Sequence, residues 1–211
     1  MIYVNDLSLK IRNENILTNI NIHVKKGKIT GLVGRNGCGK TMLIKCITGF
    51  VKPTAGKVIF DEKIIGKDTD FPSNTGIIIE TPSFVPYFSG YKNLMELASL
   101  KKKVDKEGVE QVLRKVELYE ARNKMVKKYS LGMKQRLGIA QALMENPDTL
   151  ILDEPMNGLD NECVEMIRNI LSTLRDEGKT ILLVSHNAED IRVLCDKIYE
   201  LDKGEIKNGR L

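Results

Sequence analysis

Residues 34 to 41, GRNGCGKT, set three glycines ahead of a lysine and a threonine, between an apolar stretch, Ile29 to Val33, and a helix-like run, Met42 to Ile47. The chemistry that needs this pattern is phosphate binding. Gly34, Gly37 and Gly39 let the backbone close tightly with its N–H donors turned inward. The start of the helix adds its positive end. Lys40 is spaced to reach the β- and γ-phosphates of a nucleotide and Thr41 to offer its hydroxyl to Mg²⁺. The candidate nucleotide-binding residues are therefore Gly34, Arg35, Asn36, Gly37, Cys38, Gly39, Lys40, Thr41 and Met42. More than a hundred positions later, Thr149-Leu150-Ile151-Leu152-Asp153-Glu154 reads as a buried strand ending in two acids. In an open parallel sheet, ligands sit beyond the carboxyl ends of strands, which brings these acids to the phosphates. Asp153 would hold Mg²⁺ through its water shell and Glu154 would polarise an attacking water. The alternative is that both acids cap the turn before Pro155.

Between these segments, Tyr129-Ser130-Leu131-Gly132-Met133 precedes an apolar-periodic run that reaches Asn146-Pro147, so Ser130 stands where a helix N-cap belongs. The order of motifs resembles the ATP-binding subunit of an ABC transporter over the whole chain. In that family an LSGGQ signature opens a helix whose N-terminus faces the γ-phosphate held by the other subunit of a head-to-tail dimer. Ser130 and Gly132 match its serine and second glycine; Leu131 and Met133 depart from it. Asn157-Gly158-Leu159-Asp160 resembles the D-loop at the dimer interface, and Asp160 also fits an ordinary N-cap for the helix running to Glu177. Ser185-His186, after the apolar strand Thr180 to Val184, resembles the switch histidine at the γ-phosphate; a structural histidine is the other reading.

Two departures fall at contact positions. Ile11 replaces the aromatic that in many relatives stacks on adenine, which weakens stacking and leaves the choice between ATP and GTP open. Glu80, after Gly76-Ile77-Ile78-Ile79, replaces the Q-loop glutamine. An ionised carboxylate accepts but cannot donate, so Glu80 could help bind Mg²⁺ yet would repel a bare γ-phosphate. IIIETPSF, SGYKNL and YSLGMKQRLGIA together resemble a narrower group, the bacitracin-resistance and lantibiotic-immunity exporters.

The elements that must position these residues make an α/β chain. The resemblance implies a P-loop NTPase with one domain over residues 1–211. A RecA-like, mostly parallel core with an antiparallel β subdomain covers 1–81 and 144–211, and a helical subdomain carrying the signature covers about 82–143. Consistent with that division, Ile2 to Ile29 alternates like strands broken at residues 12–15, and Gly56 to Ile65 reads as a hairpin around Asp61-Glu62. Helical spacing runs from about Pro82 to Leu143, and a last hairpin, Ile198 to Ile206, turns at Lys203-Gly204.

With 211 residues, 42% of them apolar, one such unit can bury about 70% of its unfolded surface. No leader and no apolar run near ~18 residues is present, so the chain is expected to be cytoplasmic and not to span a membrane itself; the resemblance implies that it sits peripherally on the inner face of the cell membrane through a permease. Cysteines 38, 46, 163 and 195 lack metal spacing and are expected to be free thiols. Cys38, beside Lys40 and a helix N-terminus, is placed to favour its thiolate, although a small residue at a variable position serves equally well there. A net charge of +5 with 5% aromatics does not support nucleic-acid binding.

The resemblance implies ATP and Mg²⁺ as ligands, a separate integral membrane permease, and a second ATP-binding subunit, identical or not. A monomer would be nearly inactive. The competing reading is a soluble ABC ATPase acting on a ribosome or nucleic acid. Such relatives usually carry two modules or a long coiled coil, and this chain shows neither. A module that binds ATP without hydrolysing it is disfavoured by the presence of Lys40, Asp153, Glu154 and His186.

Overall fold

The computed structural model describes residues 1–210; Leu211, the end of the expected domain, lies outside them. Strands β1 (Ile2–Ile11) and β2 (Glu14–Val24) pair antiparallel across a turn at Arg12-Asn13. The expected break over residues 12–15 narrows to that turn, because Glu14 and Asn15 pair with Ile11 and Lys10. β3 (Ile29–Val33) leads through the glycine-rich loop into α1 (Lys40–Ile47), which starts at the lysine rather than at Met42. β4 (Ala55–Phe60) and β5 (Lys63–Ile64) form the expected hairpin, and β6 (Thr75–Ile78) follows.

The segment of helical spacing holds α2 (Gly90–Lys101), α3 (Lys106–Lys115) and α4 (Leu131–Leu143). Its first helix begins at Gly90 rather than Pro82. Helix starts are set by side chains that satisfy otherwise orphaned amides: Ser89, Asp105 and Ser130 each accept from the amide three residues on. The chain closes with β7 (Thr149–Asp153), α5 (Asn161–Asp176), β8 (Thr180–Val184), α6 (Ala188–Leu194), β9 (Lys197–Asp202) and β10 (Glu205–Arg210). The last two strands form the hairpin turned at Lys203-Gly204.

Two sheets result. One is four-stranded and antiparallel, in the order β2-β1-β4-β5. The other has six strands in the order β10-β9-β3-β8-β7-β6, parallel throughout except for the edge strand β10. The central strands β7 and β8 are buried at every position, which explains their unbroken apolar runs. Alternate residues serve opposite layers. Leu150, Leu152, Ile181 and Leu183 join α2 to α5 on one face, whereas Ile151, Leu182 and Val184 join α1 and the antiparallel sheet on the other. Each fully buried Leu or Ile contributes about 1.5–3 kcal/mol. Helix α4, at whose start the signature is expected, therefore shares its core with the parallel sheet: Leu137, Ile139 and Ala140 are buried in the same cluster as Leu150.

Candidate nucleotide site

Parallel pairing aligns the strand ends that build the site. Leu32 pairs with Val184, Val184 with Asp153, and Leu152 with Ile78. The residues that follow these strands therefore emerge along one edge: the glycine-rich loop from Gly34, then Glu154, Ser185-His186 and Glu80. This is the carboxyl edge at which an α/β sheet takes its ligand.

The loop wraps Lys40, which is buried and donates from Nζ to the carbonyls of Gly34 at 2.8 Å and Arg35 at 3.1 Å. Gly34 must lack a side chain: a Cβ there would come within 2.2 Å of the Leu201 carbonyl oxygen and 2.7 Å of the Cys38 sulfur. Gly37 holds φ at +79°, a left-handed conformation that glycine adopts without strain. Cys38 is only 8% exposed and packs in the apolar cluster beneath the loop, so the small-residue reading accounts for its place. Asn36 and Met42 line the cleft above Lys40.

Thr41 Oγ1 donates to Asp153 Oδ2 at 2.9 Å. Asp153 is 5% exposed, and burial raises its carboxyl above the ordinary range, with the negative charges of Glu154 and Glu80 adding to the effect; the Thr41 hydrogen bond and Lys40 act against it. A hydroxyl beside one buried carboxylate is a fitting donor set for Mg²⁺, which takes few protein ligands and keeps phosphates and waters in its shell. Among the described residues, no three acidic, histidine or cysteine side chains cluster closely enough to hold a metal alone. The expected third ligand, Glu80, lines the same cleft, but its Oε1 accepts from Lys45 Nζ at 2.7 Å. Its φ of +59° is unusual for a residue with a side chain.

Glu154 does not extend β7, contrary to the expectation of a strand ending in both acids. The strand stops at Asp153, and Glu154 turns into the left-handed region with φ +51°, its amide donating to the Val184 carbonyl at 3.0 Å. That turn aims the side chain at His186, whose Nδ1 lies 2.8 Å from Glu154 Oε2. Gln135, buried on α4, donates from Nε2 to the Glu154 carbonyl at 3.3 Å and fixes the turn from the other side. Glu154 lines two adjoining clefts of about 490 and 480 Å³, with Lys40 and Thr41 in the first and His186 in the second.

Behind His186 lies a network that sequence reasoning missed. Asp190, 2% exposed, accepts from Arg168 Nε at 2.9 Å and Nη2 at 2.5 Å on one oxygen, and from Ser185 Oγ at 3.0 Å on the other. Ser185 Oγ in turn accepts from the Asn187 amide at 3.1 Å. Three hydrogen bonds to one buried carboxylate hold the β8–α6 turn on either side of His186.

Of the residues expected to form the signature, Ser130 caps α4, accepting from the Met133 amide at 3.2 Å. Leu131 is 56% exposed in the first cleft, against Gly158, and Gly132 lies against Leu159. The turn at Leu131-Gly132 and the segment Gly158-Leu159 thus touch within one chain. Asp160 caps α5 by accepting from the Cys163 amide at 2.9 Å, a bond that lowers its carboxyl below the ordinary range. Ile11 is 42% exposed at the end of β1.

Residues 17–157 match the model of the family described as ABC transporter. The chain is 40% identical over 209 residues to the uncharacterized ABC transporter ATP-binding protein YybJ of Bacillus subtilis, covering 99% of this chain and 96% of that one. It is 43% identical over 208 residues to the bacitracin transport ATP-binding protein BcrA of Enterococcus faecalis, covering 98% and 68%. Among solved structures, the dimeric structure of MJ0796, a bacterial ABC transporter cassette, superposes with a TM-score of 0.88 at 26% identity, covering 100% of this chain and 98% of that one.

Proposed function

The chain belongs to the ABC transporter family, as an ATP-binding subunit that hydrolyses ATP, and we propose that it drives export of a peptide antibiotic through a separate membrane permease. The substrate class is supported by the likeness to the bacitracin transport protein. No helix among the described residues is long and apolar enough to cross a membrane. The proposal has the chain peripheral on the cytoplasmic face, held there by the permease and paired with a second ATP-binding subunit, identical or not.

The observation that carries the catalytic reading is the 2.8 Å contact between Glu154 and His186, beside Lys40 and the Thr41–Asp153 pair. In this reading the loop amides and Lys40 bind the β- and γ-phosphates, and Lys40 exchanges the carbonyls of Gly34 and Arg35 for phosphate oxygens. Thr41 would offer its hydroxyl to Mg²⁺ and Asp153 would hold the ion through its water shell, and the ion would supply charge neutralisation at the phosphates. Glu154 accepts a proton from the attacking water as its oxygen bonds to the γ-phosphorus and the bond to the β-phosphate oxygen breaks in line. His186 orients Glu154 through Nδ1 and offers the opposite ring edge toward the γ-phosphate. Ser130 and Gly132 at the start of α4 serve the nucleotide of the second subunit, with Leu131 between them and Met133 after them, and Asp160 lies at the shared interface.

The test is to tag the chain in its native cell, solubilise membranes gently and identify what co-purifies. A multi-span membrane protein at near-stoichiometric yield supports the transporter reading and leads to the substrate. Recovery with ribosomes or nucleic acid instead would favour the soluble ATPase reading.

A further inference from the structure

Thr41 and Lys45 stand four residues apart on one face of α1, and each fastens an acid at the end of a strand: Thr41 holds Asp153, the last residue of β7, and Lys45 holds Glu80, two residues past β6. The cleft they border is oddly charged for a site that takes a polyanion. Among the described residues that line it, three are carboxylates, Glu80, Asp153 and Glu154, and one is a cation, Lys40. Glu80 is the most open of the three, its side chain 62% exposed. A uniformly solvated glutamate there would repel the γ-phosphate. Lys45, 30% exposed and outside the cleft lining, meets it at 2.7 Å along the helix flank.

We propose that Lys45 is a positioning residue for nucleotide binding, which neutralises Glu80 and draws its carboxylate against α1, so that the pair presents a near-neutral edge to the γ-phosphate. This rests on the ATPase reading. The ion pair is partly open to water, so its worth as a stability element is small. Its effect falls on a third charge, the phosphate that enters the cleft Glu80 lines.

The experiment is equilibrium titration of the full chain with MgATP, at low and at high salt, for wild type, Lys45→Met, Glu80→Gln and the double variant, each checked for an unchanged far-ultraviolet spectrum. Lys45→Met is expected to weaken MgATP binding about 3- to 10-fold at low salt, with a smaller penalty at high salt, where screening replaces the missing cation. Adding Glu80→Gln to Lys45→Met is expected to recover most of the loss, because no charge then needs compensation. Lys45→Arg keeps wild-type affinity within about twofold. Unchanged affinity in Lys45→Met, or a loss that Glu80→Gln does not relieve, would overturn the proposal. Should Lys45→Met fail to fold, the Lys45→Gln variant and its double with Glu80→Gln give the same comparison. A wild-type chain that binds no MgATP would instead overturn the ATPase reading, and this inference with it.

Discussion

Glu154 Oε2 and His186 Nδ1 meet at 2.8 Å, although 32 positions separate them in the chain. The contact is the product of two strand ends in register, since Asp153 pairs with Val184 and each side chain leaves its strand one or two residues later. A carboxylate held by a histidine is aimed rather than free, and aiming is what a group that takes a proton from water requires. His186→Ala is therefore expected to lower ATP turnover by about 10²-fold while changing the KM for MgATP far less. Steady-state phosphate release over a range of MgATP concentrations checks this. A large rise in KM with unchanged kcat would make His186 a binding residue only.

Asp153 carries a cost in the nucleotide-free protein. Its carboxyl is raised by burial and by the nearby Glu154 and Glu80 charges, so the folded state holds the proton more firmly than the unfolded chain does. Stability of the free protein then falls as pH climbs from the ordinary carboxylate value of 3.8 through the raised folded value. Asp153→Asn removes that slope. The expected result is a melting temperature higher by on the order of 2–4 °C at pH 7 without nucleotide, and loss of both Mg²⁺-dependent turnover and the stabilisation conferred by MgATP. Melting curves from acid to neutral pH, with and without MgATP, test it; a lower melting temperature for Asp153→Asn at pH 7 would contradict the sign.

Cysteine chemistry separates along the fold. Burial pushes the Cys46 thiol up to about 11 and Cys195 up to about 12, and both should resist alkylation in the native protein. Cys38 lies inside the phosphate loop with its sulfur against Gly34, so any adduct there obstructs the site. Alkylation at Cys38 is expected to proceed slowly, to abolish ATP hydrolysis and to be prevented by MgATP. Peptide mapping with parallel activity assays decides the matter, and full activity after complete labelling of Cys38 would refute it.

Much of this was legible beforehand for a physical reason: glycine spacing, unbroken apolar runs and capping residues are local signals. The loop at Gly34 to Thr41, the runs at β7 and β8, and the caps at Ser130 and Asp160 are each determined by residues within a turn or two. What was not legible depends on pairs far apart in sequence. The Lys45–Glu80 and Arg168–Asp190 pairs span 35 and 22 positions and follow no period. The Gln135 bond to the Glu154 carbonyl is hidden in a helix whose spacing reads simply as core. The turn of Glu154 out of β7 could not be read either, because a strand ending in two acids and one ending in an acid and a left-handed residue have the same composition.

The central claim is that Glu154 takes the proton from the attacking water. The most direct measurement is MgATP turnover by Glu154→Gln, together with nucleotide affinity of the same variant, since glutamine keeps the shape and removes the basic oxygen. Turnover is expected to be lower by about 10² to 10⁴ with affinity for MgATP preserved. Near-normal turnover in Glu154→Gln would contradict it.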